Sequence, residues 1–161
     1  GSAVGLGMIT IVGQCIGAGE YDQARHYIKK LMKLAYIVGG ATNVLAVLFM
    51  KQLVGIFSLS PQTAQLAIII SSMHAGTWLL FWPTAFTLPN GLRAAGDVKF
   101  TMIVSVAVMW ACRIGLSYIF ALYFNMGLIG VWLAMILDWV VRTAFYVARF
   151  IGTKWYSHTV I

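Results

Sequence analysis

Two prolines interrupt the apolar stretch Leu79-Leu-Phe-Trp-Pro-Thr-Ala-Phe-Thr-Leu-Pro-Asn-Gly-Leu-Arg-Ala-Ala-Gly-Asp-Val-Lys99. A proline inside a helix removes one backbone hydrogen bond and clashes with the carbonyl four residues earlier, here those of Leu79 and Ala85. In lipid, the carbonyls freed in this way need partners from neighbouring helices, polar side chains or trapped water. The stretch therefore predicts a helix, broken twice, that moves or lines a cavity in a membrane protein.

The composition of the whole chain supports a membrane location. Hydrophobic residues make up 61% of the 161 residues, charged residues make up 9%, and the mean hydropathy is +0.87. Soluble domains carry about 25% charged residues, and a core of this size could not bury so much apolar surface. We therefore expect membrane lipid to surround the chain. The net charge of +7 comes from basic residues scattered between apolar runs, which argues against nucleic-acid binding.

Patterns typical of enzymes and metal sites are missing from the sequence. Cys15 and Cys112 lie in apolar runs without metal or redox spacing, and no Ser, His and Asp set converges. The glycines of Val12-Gly-Gln-Cys-Ile-Gly-Ala-Gly19 lack the strand and the acidic residue of a dinucleotide site. Gly13 and Gly17 instead predict close helix packing in lipid. We expect no enzyme activity, no metal and no cofactor.

The apolar runs predict an all-α polytopic membrane bundle in a single transmembrane domain over residues 1–161. Its expected spans are residues 2–19, 28–57, 61–91, 99–124 and 127–151, against the roughly 20 residues that a bilayer core requires. Ser58-Leu-Ser-Pro61 predicts a turn, with Ser60 as helix N-cap and Pro61 at the first helical position. The chain has no initiator Met and opens in an apolar run, so we expect a fragment of a longer protein.

The distribution of lysine and arginine predicts the orientation of these spans. One side receives nine basic residues: Arg25, Lys29, Lys30, Lys33, Arg93, Lys99, Arg142, Arg149 and Lys154. Lys51 lies near the opposite side, and Arg113 lies within the membrane. We therefore expect a multi-pass protein of the cytoplasmic membrane with its C-terminus in the cytoplasm.

Charged residues inside the spans are candidates for proton or ion-pair chemistry. A hairpin turning at Asn125 would put Arg113 and Asp138 at the same depth, so we expect them to pair, with Arg142 as a second possible partner of Asp138. Such a pair either re-forms during transport or simply holds two helices together. His74 likewise either carries a proton or packs as a hydrogen-bonded side chain.

Aromatic and polar residues around the two prolines are candidates for a substrate cavity or a hinge. The set comprises Trp78, Trp82, Pro83, Thr87, Pro89 and Asn90, with Phe81, Thr84 and Phe86 beside them. The aromatic rings could form a cavity wall that suits bulky apolar cations, or they could pack against lipid and other helices. The polar side chains could bond the freed carbonyls or line the same cavity.

Four stretches together resemble the multidrug and toxic compound extrusion (MATE) family. They are Val12–Gly19, Leu88-Pro-Asn-Gly-Leu-Arg-Ala-Ala-Gly-Asp97, Met109-Trp-Ala-Cys-Arg-Ile-Gly-Leu116, and Gly127-Leu-Ile-Gly-Val-Trp132 with Asp138-Trp139. The resemblance implies a transporter of two six-helix lobes, in which this chain supplies about five helices, the eighth to the twelfth, of the C-terminal lobe. The N-terminal half of the same chain would be its partner.

The resemblance also implies a function. Family members export cationic and amphipathic small molecules, coupled to inward sodium or proton flow. Their main coupling carboxylate lies on the first helix of the N-terminal half, and one subgroup adds acids on the seventh and tenth helices. In this sequence Trp82 falls near the position of that tenth-helix acid, so the resemblance carries no ion ligand over to this chain.

Two other functions stay open at this point. A lipid-linked saccharide flippase shares the broader architecture and would show more cationic residues in its cavity. A non-transporting membrane scaffold subunit would show no ion-driven flux. We expect the antiporter, with Pro83 and Pro89 shaping its cavity.

Overall fold

The computed structural model describes residues 1–57, 60–152 and 155–156, and every regular element in these ranges is helical. The α-helices are α1 (Ser2–Gly17), α2 (Tyr21–Leu48), α3 (Met50–Ile56), α4 (Pro61–Trp82), α5 (Leu88–Ala94), α6 (Val98–Val108) and α7 (Gly127–Ile151). Three π-helical segments lie between them: π1 (Pro83–Thr87), π2 (Met109–Leu116) and π3 (Ile119–Tyr123). The predicted all-α polytopic bundle is confirmed.

Four continuous helical stretches are long and apolar enough to cross a bilayer. They are Tyr21–Leu48, Pro61–Ala94, Val98–Tyr123 and Gly127–Ile151. A fifth apolar helix, Ser2–Gly17, has 16 residues and is shorter than a full span. In place of the expected span 28–57, the structure has α2, which begins earlier at Tyr21 and ends at Leu48, and the separate short helix α3. Ser58 and Leu59 of the predicted turn, and Lys154, lie outside the described residues.

The stretch from α4 through π1 to α5 is the centre of the bundle. On one side, α4 contacts α2 and α5 contacts α1; on the other side, α4 and π1 contact α7 and α5 contacts α6. The remaining helices form two antiparallel pairs, one of α1 with α2 and one of π2 and π3 with α7. The helix with the two prolines is therefore the element that joins both pairs.

Two of the helix-to-helix turns share one glycine-dependent geometry. At Gly96 the backbone has φ +93°, and the N–H groups of Gly96 and Asp97 donate to the carbonyls of Arg93 and Leu92 at 3.0 Å each. Gly19 has φ +77° and the equivalent pair of bonds. This arrangement ends a helix and satisfies its last carbonyls, and it favours glycine because other residues are strained there. The predicted start of the third span is confirmed, because the Ser60 hydroxyl accepts the N–H of Thr63 and Pro61 is the first residue of α4.

The best-packed region lies at the end of the bundle where these two turns meet the end of α7. Its buried side chains come from five α-helices, from π2 and from the segment after α7, and they include Met8, Val12, Ile28, Leu92, Tyr146 and Trp155. The ring of Tyr156 reaches Tyr21 at the start of α2, with centroids 5.4 Å apart. Packing against the start of α2 therefore closes this end of the bundle.

Close helix contacts occur at glycines other than the predicted pair. A Cβ at Gly130 of α7 would lie 2.8 Å from the backbone carbonyl carbon of Phe120 in π3, and one at Gly39 of α2 would lie 2.0 Å from the Trp78 ring. At Gly13 and Gly17, a Cβ would meet no described atom within 4 Å outside its own helix backbone. The expectation of close approach at Gly13 and Gly17 is therefore wrong within this chain.

We expect Gly130→Ala to destabilise the folded protein by about 1 kcal/mol. Overpacking a tight contact costs about 1–3 kcal/mol, which exceeds the gain of up to about 1 kcal/mol that alanine brings to a helix. The midpoint of thermal unfolding of the full-length protein in detergent measures the change. Gly13→Ala is the matched control and should leave that midpoint unchanged or raised. An unchanged midpoint for Gly130→Ala would contradict the expected clash.

Candidate functional site

Two carbonyls shortly before Pro83, those of Leu80 and Phe81 rather than that of Leu79, accept hydrogen bonds from neighbouring helices. The hydroxyl of Tyr36 on α2 donates to the Leu80 carbonyl at 3.1 Å, and the hydroxyl of Thr143 on α7 reaches the Phe81 carbonyl at 3.4 Å. Because the single phenol proton of Tyr36 points to Leu80, the Thr84 hydroxyl donates to the Tyr36 oxygen across 2.5 Å. The π-helical turn thus has polar support from both sides.

The polar candidates near the prolines have different surroundings. The side-chain amide of Asn90 donates to the Phe86 carbonyl at 3.3 Å, one position after the Ala85 carbonyl that Pro89 was expected to free. The Thr87 hydroxyl is buried and has no hydrogen-bond partner among the described residues. Pro83 and Pro89 are both buried, the first in π1 and the second near the start of α5. Pro83, Thr87 and Pro89 are therefore buried within the bundle, and Asn90 is half-buried.

Three aromatic rings stack along the broken helix. The ring centroids of Trp78 and Trp82 are 5.1 Å apart with planes at 15°, and those of Trp82 and Phe86 are 5.4 Å apart with planes at 27°. All three side chains are half-buried. Gly39 of α2 leaves room for the Trp78 ring. The aromatic candidates therefore form one continuous row, which we call the aromatic row.

Asp138 is paired with Arg142 and not with Arg113. The Nε of Arg142 lies 3.0 Å from the Asp138 Oδ1 one turn away on α7, and the two residues are 7% and 0% exposed. Arg113 is exposed and forms no ion pair with a described residue. Arg113 lies in π2, where the backbone hydrogen bonds join residues five apart, so its side chain lies on another face than the one expected from 3.6 residues per turn. The expected interhelical pair is corrected to a pair within one helix.

Arg142 connects three elements of the bundle. Besides Asp138, its guanidinium donates to the Ser105 carbonyl of α6 at 3.0 Å and lies 5.5 Å from the centre of the Phe86 ring in π1. Asp138 Oδ2 is buried without a hydrogen-bond partner among the described residues. A charge that is already neutralised and fixed on three sides is suited to holding helices together.

A chain of polar side chains continues from Arg142 towards the α5–α6 turn, and we call it the polar seam. Ser105 shares a hydrogen bond of 2.7 Å with the Tyr146 hydroxyl, which also donates to the Thr101 carbonyl at 3.2 Å. The Thr101 hydroxyl oxygen accepts Nε of Arg93 at 3.3 Å. Sequence analysis missed Thr101, Ser105 and Tyr146. The spacing of four between Thr101 and Ser105, and between Asp138, Arg142 and Tyr146, places each set on one helix face.

The end of the polar seam is fixed by a second ion pair. Arg149 of α7 donates to both carboxylate oxygens of Asp97 at 2.6 and 3.0 Å, and its guanidinium carbon lies 4.6 Å from the Phe100 ring centre. Two parallel bonds between arginine and carboxylate are among the stronger polar contacts in proteins. The Arg93–Asp97 stretch is therefore a turn that ties the broken helix to α7.

His74 lies among aromatic rings. It makes edge contacts with Trp132 and Trp139, with centroids 5.3 Å apart in both cases, and its Nδ1 is buried without a described partner. A cavity of about 290 Å³ beside it is also lined by Asn43, whose amide donates to the Ala75 carbonyl at 2.7 Å. Within the described ranges, no three His, Cys, Asp or Glu side chains are grouped as they would be around a metal ion.

We expect Asp138→Asn to reduce the yield of folded full-length protein more than it changes the ion dependence of transport. The substitution leaves Arg142 charged and buried, and an uncompensated buried charge costs about 3–5 kcal/mol. The amount of monodisperse protein extracted from membranes measures the loss. Arg113→Gln is the matched control and should leave the yield unchanged.

Adding Arg142→Gln to Asp138→Asn should recover part of the yield, because it removes the unpaired charge. A normal yield of Asp138→Asn together with abolished ion dependence would instead assign Asp138 a functional role.

Comparison with known proteins identifies the family. The MatE family model matches residues 1–119. The chain is 32% identical to the uncharacterized transporter YisQ of Bacillus subtilis, over 96% of this chain and 34% of that protein. It is 24% identical to the probable multidrug resistance protein NorM of Thermotoga maritima (98% and 34%) and 29% identical to that of Neisseria meningitidis (83% and 29%).

No solved structure matches the chain. The chain spans about a third of the length of these curated relatives. Its helices make it a multi-pass membrane protein, and the match over residues 1–119 covers most of the broken-helix bundle. The chain belongs to the MatE family, the multidrug and toxic compound extrusion family that its sequence resembles.

Proposed function

We propose that the full protein is a secondary active efflux transporter that exports cationic or amphipathic small molecules by alternating access. The family membership of the chain and the names of its relatives, which include probable multidrug resistance proteins, support this function. The five helices form most of one lobe, and the rest of the protein completes the cavity. Inward flow of sodium ions or protons drives export.

The observation that carries the proposal is the aromatic row, whose rings are only half-buried. Phe86 already has the Arg142 guanidinium 5.5 Å from its ring centre. No cationic side chain of the described residues lies over the ring of Trp78 or Trp82. Tryptophan rings attract organic cations, most strongly where water is excluded. The parts of Trp78 and Trp82 that the stacking leaves uncovered therefore offer a binding surface for a flat, positively charged substrate.

We place the coupling-ion site outside the described residues. Of the four carboxylates in the chain, the two buried ones, Asp97 and Asp138, each lie against an arginine. An arginine in contact with a carboxylate repels a second cation from it. Neither carboxylate is therefore suited to binding and releasing a coupling ion in each cycle, and we propose that the coupling carboxylate belongs to the rest of the protein.

We further propose that the protein lies in the cytoplasmic membrane with its C-terminus in the cytoplasm. The α1–α2 turn, the α5–α6 turn and the end of α7 pack together at one end of the bundle, and seven of the eleven basic residues are described there or on the adjoining parts of the helices. Positive loops remain cytoplasmic in membrane proteins.

The mechanism that suits this architecture is rocking of the two lobes around a central site, with the broken helix adjusting the cavity wall. Tyr36 and Thr143 hold carbonyls of the break with hydroxyl groups. Such bonds are individually weak, on the order of 1 kcal/mol, so the π-helical segment can rearrange without losing its polar partners altogether.

Trp82→Ala tests the aromatic row. We expect the KM for ethidium export by the full-length protein in proteoliposomes to rise about fivefold, which corresponds to one cation–π contact of about 1 kcal/mol. Trp82→Phe should recover part of the affinity because it keeps an aromatic face. The control is Trp110, a residue of π2 that is 62% exposed. Trp110→Ala should leave KM unchanged.

Equal KM values for Trp82→Ala and the unchanged protein would show that the aromatic row does not contact the substrate. Ion-driven movement of a lipid-linked saccharide without ethidium export would identify a flippase. Absence of any ion-driven flux would favour a scaffold subunit.

Pro83→Ala tests the hinge. Alanine restores the backbone N–H and removes the ring clash, so we expect a straighter, stiffer helix and an export rate lowered several-fold, with membrane insertion intact. Drug resistance of complemented cells and the protein level in their membranes measure the two effects. Pro61→Ala is the matched control, because a first helical residue has no intrahelical bond to regain. Unchanged resistance for Pro83→Ala would contradict a hinge at this position.

A further inference from the structure

An open groove lies between α1 and α2, away from the aromatic row and the polar seam. Its volume is about 380 Å³, and its walls include Ile11 from α1 and Tyr27, Lys30, Lys33 and Ile37 from α2. Lys30, Lys33 and Ile37 are exposed and Tyr27 is half-buried. The groove therefore combines two lysines with apolar side chains. Neither the packing of α1 against α2 nor a soluble ligand would require both kinds of residue.

The lysines of this groove have no protein partner among the described residues. The ion pairs found there are Arg142 with Asp138 and Arg149 with Asp97, so Lys30 and Lys33 are in neither. Lys29, one position before Lys30, adds a third charge next to the groove and is likewise in neither pair. The groove therefore presents unneutralised positive charge, and its complement is an anion.

The order of residues along α2 matches the order of chemical groups in a phospholipid. Tyr27, Lys30, Leu34 and Ile37 follow one another at spacings of three and four, which places them on one helix face. The polar members come first, and the face becomes apolar towards the middle of the helix. A headgroup at Lys30 and Lys33 would thus have its first methylene groups against Leu34 and Ile37.

The groove also lies at a suitable depth. No residue from Leu34 to Leu48, the end of α2, is charged, whereas Lys30 and Lys33 precede this part of the helix. The two lysines therefore lie towards the polar end of an apolar span. Long lysine side chains near the end of such a span place their charges at the level of the headgroups.

We propose that this groove binds an anionic phospholipid of the bilayer, with its phosphate between Lys30 and Lys33 and its acyl chains along Leu34, Ile37 and Ile11. Basic pockets between transmembrane helices are typical binding sites for anionic headgroups. The bound lipid would fill the gap between α1 and α2. Lipid binding here does not depend on whether the protein exports drugs.

The test uses the full-length protein in nanodiscs made from equal amounts of phosphatidylcholine and phosphatidylglycerol, with native mass spectrometry of the lipids that it retains. We expect the unchanged protein to retain phosphatidylglycerol in preference to phosphatidylcholine. Each of Lys30→Gln and Lys33→Gln should lower that preference about fivefold, the contribution of one lysine near an anionic surface. The double variant should lose it almost completely.

Two control variants separate a specific site from general charge. Lys30→Arg with Lys33→Arg keeps both charges and should keep the preference. Lys99→Gln removes an exposed lysine of α6 outside the groove and should also keep it. The single variants are measured beside the double variant, and monodisperse elution of each confirms that it is folded.

Three results would overturn the proposal. The first is an unchanged protein that retains the two lipids equally, as it would if the rest of the chain covered the groove. The second is a loss for Lys99→Gln as large as that for Lys30→Gln. The third is displacement of phosphatidylglycerol by inorganic phosphate, which would identify a site for free anions.

Discussion

A proline in a lipid-embedded helix leaves backbone carbonyls without their usual hydrogen bonds, and lipid offers no water to replace them. Neighbouring helices must therefore supply hydrogen-bond donors, and this constraint governs how the bundle packs. The carbonyls beside Pro83 are bonded by Tyr36 from α2 and Thr143 from α7. Both helix pairs must therefore lie against the broken helix at the right height. The stack of Trp78, Trp82 and Phe86 follows from the same position, because these rings project from the helix that the two neighbours hold.

A second constraint comes from charge, since α7 carries both an acid and bases in its apolar length. Arg142 meets it by contacting Asp138, the Ser105 carbonyl and the Phe86 ring at once. This contact to Phe86 joins the polar seam to the aromatic row. A displacement of the broken helix would consequently be transmitted to α6 and α7, although no side chain of the broken helix forms an ion pair with either within the described ranges.

Much of the fold was predictable because it depends on local chemistry. The run of apolar residues, the cap at Ser60 and the turn before Asp97 are all properties of short segments. The expected double break is instead a single π-helical segment, Pro83–Thr87, in a helix that continues to Ala94. The site was predictable only in part. The aromatic row follows from a spacing of four along one helix, but the pairing of Arg113 with Asp138 assumed regular α-helix through Met109–Leu116, where the chain is π-helical.

The sequence by itself determined that the chain is a membrane bundle and that the helix with Pro83 departs from regular α-helix, because composition and proline act within a few residues. The expected span 28–57 differs from the helices found there, α2 and α3. Only the tertiary structure decided which partners the buried polar groups have. Tyr36 reaches Leu80, Arg149 reaches Asp97 and Tyr146 reaches Ser105 across 44, 52 and 41 positions of the chain. Such pairs depend on how far each helix is rotated and shifted against the next, and packing of the whole bundle sets those rotations.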